Sequence, residues 1–149
     1  MILNLQTGKD NQILRKKSQP ITEINQEILS LIKDMQETMK KDNGIGLSAC
    51  QIGKDLRLFV IDNNYTHKCV FINPEIIKLS KRTEMVEEGC LSLPGMFVPV
   101  KRSLSLKIKA MNESGKEFKI KAKDILARAI QHEYDHLNGI LICDNAKRN

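Results

Sequence analysis

The chain has no tryptophan, and aromatic residues of all kinds make up 4% of its 149 residues. Basic stretches such as Arg15-Lys16-Lys17 and Lys119 to Lys123 therefore have no aromatic side chains interleaved with them. That argues against a surface that reads nucleic-acid sequence by stacking on bases. No apolar run approaches the roughly 18 residues needed to span a bilayer, so no membrane partner is expected. Met1-Ile2-Leu3-Asn4-Leu5 lacks the basic region and apolar run of a signal peptide, and a cytosolic or equivalent interior is the expectation. The four cysteines, at 50, 69, 90 and 143, form no C-x-x-C pair. Without a secretory signal they are expected to stay reduced. There is no internal repeat, low-complexity tract or linker, and residues 1–149 read as a single domain.

What is present is ordinary for a globular chain: 41% apolar, 28% charged, with a net charge of +6. The positive charges are scattered and read as a solvated surface, with a polyanionic partner as the alternative. Asn11 to Lys17 looks like a short helical turn. The spacing of Ile24, Ile28, Leu31, Ile32, Met35 and Met39 predicts a long helix from Thr22 to Lys41, stopped by Asp42-Asn43-Gly44. Leu56 to Asp62 and Cys69 to Ile72 read as strands, the second closed by Asn73-Pro74. Ser103 to Met111 alternates apolar and polar residues, turns at Asn112 to Gly115 and returns over Phe118 to Ala122. Asp124 is the expected N-cap of a second long helix, which Asn138-Gly139 ends. The fold class is α+β: antiparallel sheets packed around a central helix, with a long helix toward the N-terminus.

That second helix carries His132-Glu133-Tyr134-Asp135-His136, an H-E-x-x-H pattern that uses two of the chain's three histidines. Residues i and i+4 of a helix lie about 40° apart, so both imidazoles can face one metal ion. Glu133 then stands beside the first ligand, within reach of a water at the metal. The alternative is two polar histidines on an exposed face. A catalytic site of the zinc type needs a third protein ligand. Cys90, in Glu88-Gly89-Cys90-Leu91-Ser92-Leu93-Pro94-Gly95, where Pro94-Gly95 is expected to end the segment, is the best candidate, although a free cysteine is more commonly a small buried hydrophobe. A third segment, Gly44-Ile45-Gly46-Leu47-Ser48-Ala49-Cys50-Gln51, offers a backbone edge that a substrate can approach and a nearby amide. A tight turn feeding a short helix explains it equally well.

Taken together, G-I-G-L-S-A-C-Q, E-G-C-L-S-L-P-G and Q-H-E-Y-D-H-L-N-G, in this order, resemble the three signature motifs of the peptide deformylase family. Asn11 to Ser18 also looks like that family's opening, so the resemblance runs from about residue 11 to 142. It implies removal of the formyl group from the N-terminal formylmethionine of newly made polypeptides. It also implies one divalent metal ion held by Cys90, His132 and His136. Fe(II) is the implied cellular metal, with zinc, nickel or cobalt able to occupy the same site. Glu133 would be the general base, and the Gln51 amide and Leu91 N–H would stabilise the oxyanion. The peptide would lie as an added strand along Gly44 to Gly46 and Gly89, with Ile45, Val86, Ile125 and Ala129 around the methionine side chain. Glu88 would pair with Arg102, and Asp135 would orient a histidine or lie at the surface. Ser48 and Ser92 are left as turn or packing residues. Ser48 and Cys50 depart from the more usual alanine and proline or threonine, and Met96-Phe97 leaves preference beyond methionine open.

Only Ile140 to Asn149 follow Gly139, whereas many bacterial members continue into a helix that helps dock on the ribosome. The ribosome is therefore kept as a possible partner, with docking by that route in doubt. The implied setting is the cytoplasm of a bacterial or virus-infected bacterial cell, with an organelle interior as the alternative. Two other readings compete. A general metalloprotease would cleave internal peptide bonds. A non-catalytic module with a structural metal would favour a fourth protein ligand, and none is evident.

Overall fold

The computed structural model describes residues 1–144, so the last five residues of the C-terminal tail lie outside the described residues. A five-stranded antiparallel sheet forms the centre, in the order β1-β2-β3-β6-β7: β1 is Gly46–Ser48, β2 Leu58–Ile61, β3 Val70–Leu79, β6 Ser105–Met111 and β7 Glu117–Lys123. A separate two-stranded sheet pairs β4, Thr83–Cys90, with β5, Leu93–Ser103. The α-helices are α1, Gln12–Arg15; α2, Gln26–Lys41; and α3, Asp124–Leu137.

The core follows from period-two alternation in strands covered on both faces. All of β2 is buried. Leu58 and Val60 pack with Ile28, Ile32, Met35 and Met39 of α2. Phe59 and Ile61 point the other way, onto Ala127, Ile130 and Leu137 of α3. Each fully buried side chain of this size stabilises the fold by roughly 1.5–3 kcal/mol, so the two layers hold α3 firmly against the sheet.

Four local expectations need correction. α2 begins at Gln26 rather than Thr22, because the Asn25 side chain caps it by accepting from Ile28 N–H at 3.0 Å. The residues from Thr22 to Asn25 are not helical, and Ile21 is held at both N–H and C=O by the Asn73 side chain at 2.8 Å. β3 does not close at Asn73-Pro74. Asn73 takes a positive φ of 50°, the register slips between Ile72 and Glu75, and the strand runs on to Leu79. Asp124 is not the N-cap; Lys123 holds that position without a side-chain cap, and Asp124 is the first helical residue. Its negative charge there complements the positive end of the helix dipole. Pro94-Gly95, expected to end a segment, lies inside β5, where a two-stranded ribbon tolerates a missing donor.

Candidate active site

α3 presents His132 and His136 one turn apart, with ring centroids 5.0 Å apart. Cys90 enters from the end of β4, where the register with β5 shifts between Gly89 and Cys90 and the chain turns back to Leu93. Its Sγ lies 3.4 Å from His136 Nε2, and one donor atom from each of Cys90, His132 and His136 falls within 4.8 Å of the others. Bond lengths of about 2.3 Å to sulfur and 2.0–2.1 Å to nitrogen at tetrahedral angles give a donor–donor edge of about 3.5 Å. The donor set therefore fits one divalent metal ion.

The two histidines are held differently. His132 Nδ1 lies 3.0 Å from Glu88 Oε1, which turns Nε2 toward the donor cluster. Burial works against a charged His132, but the hydrogen bonds to Cys90 and Glu88 and the charge of Glu133 outweigh it and raise its pKa to about 10 with only a proton at the ring. A cation on Nε2 takes the place of that proton. His136 has no hydrogen-bond partner on Nδ1 among the described residues. Burial, followed by the positive fields of His132 and Arg102, pushes its pKa well below the usual histidine range and favours the neutral ring that a metal needs.

Glu88 is the hub of a buried charge network. Arg102 donates through Nε to Oε2 and through Nη2 to Oε1, each at 3.0 Å. Arg128 adds a bond to Oε2 at 2.5 Å. Arg102 also reaches Asp135 Oδ2 at 2.6 Å, so Asp135 pairs with an arginine. Burial would raise the Glu88 pKa, but hydrogen bonds from His132 and Arg102 override it and hold the carboxyl at about 2. Glu88 is thus a permanently ionised strut whose lone pairs are committed.

Glu133 has the opposite surroundings. It is buried, and its Oε1 accepts one bond from Ser48 Oγ at 2.9 Å. Its Oε2 lies 4.0 Å from His132 Nε2. Burial raises its pKa, against the pull of His132 and Ser48. Gly46 makes room for it: a Cβ there would come within 2.9 Å of Glu133 Cγ and 3.0 Å of Oε2. Ser48, expected to be a turn or packing residue, therefore contacts the carboxylate of the H-E-x-x-H motif directly.

Gln51 lies in a 3-10 turn, Ala49–Ile52, that follows β1. Its Oε1 accepts from Ser48 N–H at 2.9 Å, and its Nε2 donates to Ser92 Oγ at 3.1 Å while lying 3.9 Å from Cys90 Sγ. This fixes the amide beside the sulfur and gives Ser92 a positioning contact as well. A cleft of about 930 Å³ opens onto the donors. Gly44, Ile45 and Gly46 line one wall; Val86, Glu88 and Gly89 line the other; Ile125 and Ala129 of α3 lie between them, and Gln51 and Leu91 also reach the cleft. A Cβ on Gly89 would meet the Phe97 ring at 2.7 Å, so the glycine is what lets that ring lie across the strand.

Arg128 was not singled out by the sequence reading. It lines the cleft and, besides Glu88, donates to Val100 O at 3.2 Å and Glu84 O at 3.0 Å, tying α3 to both strands of the two-stranded sheet. Its position one turn before His132, on the same helix face, is the signal that could have found it.

Two histidines and a thiol gathered on one ion site, beside a buried carboxylate at the floor of a cleft, define a metal-dependent hydrolase. Residues 2–149 match the sequence model of the family described as polypeptide deformylase. The chain is 51% identical over 138 residues to peptide deformylase 1 of Clostridium perfringens, covering 91% of this chain and 92% of that one. The crystal structure of peptide deformylase from Thermotoga maritima superposes with a TM-score of 0.92 at 39% identity, covering 97% of both chains. A peptide deformylase from Synechococcus elongatus in complex with actinonin gives 0.89 at 36% identity, covering 96% of this chain and 78% of that one. The chain belongs to the polypeptide deformylase family.

Proposed function

We propose that this chain, as one catalytic domain over residues 1–149, removes the formyl group from the N-terminal formylmethionine of newly made polypeptides and releases formate. The observation that carries this reading is a donor cluster placed between two open strand edges. β1 is the outer strand of its sheet, and β4 pairs on one side only. A peptide can add as a strand between Gly44 to Gly46 and Val86 to Gly89, satisfying main-chain groups on both sides. Ile45, Val86, Ile125 and Ala129 then surround the methionine side chain.

Cys90, His132 and His136 hold the metal, and Fe(II) is the proposed cellular ion, with zinc, nickel or cobalt as substitutes. When bound, the ion supplies Lewis acidity and lowers the pKa of water from about 15.7 toward about 7. Glu133 takes the proton of the attacking water and delivers it to the leaving amine. Its hydrogen bond from the neutral Ser48 hydroxyl and its raised pKa suit a group that must gain and lose a proton. The Gln51 amide and the Leu91 N–H stabilise the oxyanion, each donor contributing about 3–4 kcal/mol. Glu88 orients His132. The proposed setting is the bacterial cytoplasm, at or near the ribosome; no helix among the described residues is long and apolar enough to cross a membrane. The test is formate release from a formyl-Met-Ala peptide by protein loaded anaerobically with Fe(II) or nickel. Formate and free amine in equal amounts are expected, and no formate above background with either metal overturns the reading.

A further inference from the structure

The face of the central sheet turned away from α3 carries a row of lysines in register. Lys78 of β3 stands opposite Lys107 of β6, which stands opposite Lys121 of β7. Directly opposed residues project from the same face, and like charges so placed destabilise a sheet. Lys107 lies between Leu106 and Ile108, which pack into the α3-side core, so it projects from the other face. Lys78 and Lys121 are exposed, and Lys107 is half-buried.

The next row shows how the same sheet neutralises a lysine. Lys109 stands opposite Glu75 and Lys119, with Glu75 at 3.4 Å and Glu117 at 4.0 Å from its ammonium. No ion pair among the described residues reaches Lys78, Lys107 or Lys121. Protection of an open edge against stray pairing explains lysines on β7, an edge strand. The same protection covers Lys78, because β2 pairs only with Val70 to Ile72 and the later part of β3 is open on that side. It does not explain Lys107, which has a paired strand on each side.

We propose that the row Lys78–Lys107–Lys121, flanked by Lys119 and Lys123, is a docking face for the phosphodiester backbone of RNA. The sheet sets the attachment points of these side chains about 4.8 Å apart between strands and about 6.8 Å apart along each strand, and flexible stems carry the ammonium groups out from them. Such a row offers clustered positive charge and no base-reading groups, which is the chemistry of backbone binding. A flat face also suits the wide, shallow groove of an A-form duplex. The choice of RNA rests on the proposed function, because a newly made polypeptide emerges beside the RNA of the machinery that makes it. Docking by this face leaves the cleft, on the α3 side, open to the peptide.

The test is fluorescence anisotropy of a labelled, mixed-sequence RNA duplex titrated with the full chain over a salt series. Wild type is expected to bind at low salt, with an affinity that falls linearly in log salt. The triple variant Lys78→Gln, Lys107→Gln, Lys121→Gln should bind at least tenfold more weakly, with the slope reduced by about 2–3. The variant Lys9→Gln, Lys33→Gln, Lys40→Gln removes the same charge elsewhere and should bind within about threefold of wild type. Lys107→Glu should lose binding while its Tm stays at or above wild type, since it converts two repulsive cross-strand pairs into attractive ones. Equal losses in the two triple variants overturn the proposal, as does absent RNA binding by wild type. So does tighter binding to a DNA duplex, to polyglutamate, or to vesicles of phosphatidylglycerol and phosphatidylcholine. Formate release from formyl-Met-Ala should be unchanged in every variant. Wild type that binds RNA but releases no formate would overturn the proposed function and not the face, and the reverse result would do the opposite.

Discussion

β4 and α3 each bring a buried glutamate to the donor cluster, and the two walls of the cleft treat them in opposite ways. On the β4–β5 wall, Glu88 is gripped by Arg102, Arg128 and His132, and its carboxyl is held at about 2. Against the β1 wall, Glu133 has the Ser48 hydroxyl as its side-chain hydrogen-bond donor, and burial raises its pKa. Both groups are carboxylates of similar burial. Their environments drive the proton affinities apart, as the proposed division of labour requires: one carboxylate to orient a histidine, the other to move a proton.

Among changes that leave Glu133 in place, the largest effect is expected at its counterpart. Glu88→Gln leaves Arg102 and Arg128 facing a neutral amide inside the protein. Breaking a buried ion pair in this way costs about 3–5 kcal/mol. Thermal unfolding should show a Tm lower by roughly 10 °C, with weaker metal retention through a loosened His132. A Tm within about 2 °C of wild type would show that the network does not carry the β4–β5 wall.

Acid titration probes the same contrast with a smaller effect. A carboxyl whose folded pKa lies below its unfolded value stabilises the fold fully above the unfolded value, near 4.5. That contribution is lost as pH falls through about 2. Urea unfolding of wild type between those limits should therefore show stability falling with pH, and the slope should be shallower in Glu88→Gln. Identical slopes would detach the acid sensitivity from Glu88.

Ser48→Ala acts on the other wall and should be milder. It removes the hydroxyl that lowers the Glu133 pKa, so the acid limb of the kcat/KM profile should move to higher pH. The loss at neutral pH is expected to be about tenfold, equivalent to about 1.4 kcal/mol. An unmoved acid limb would separate Ser48 from the proton-transfer group. Arg128→Met keeps an apolar stem on the cleft wall but frees Glu84 and Val100 from α3 and takes one of two arginines from Glu88, whose charge Arg102 still neutralises. The smallest effect is expected there: a severalfold rise in KM with kcat little changed, and faster amide exchange over Glu84 to Gly89. An unchanged KM would leave Arg128 as a merely structural tie.

How much of this could be read in the sequence depends on range. The i, i+4 spacing of His132 and His136 is a local property of one helix, so it was legible, as was the hydrophobic face of α2. The segments carrying Cys90 and Gln51 were legible as motifs, and the structure brings both to the same donors. The Glu88–Arg102 pairing was expected from the resemblance and is present. The second arginine on Glu88 was not, because it depends on how β4, β5 and α3 pack together. The β4–β5 ribbon itself escaped notice for a physical reason. Thr83 to Glu87 are exposed on both faces, so no apolar alternation marks that part as a strand. The extension of β3 past Pro74 was hidden by a bulge that local residue preferences read as a stop. Ser48 was set aside because its role comes from the approach of α3 to β1, far away in sequence.

The central claim is that Glu133 moves the proton while Cys90, His132 and His136 hold the metal. The most direct measurement is formate release per bound metal ion by Glu133→Gln, beside wild type loaded in the same way. The account expects full metal content and a rate lower by at least a hundredfold, within the range of about 10²–10⁴ for a lost general base. A fully loaded variant that releases formate within about threefold of the wild-type rate would contradict it.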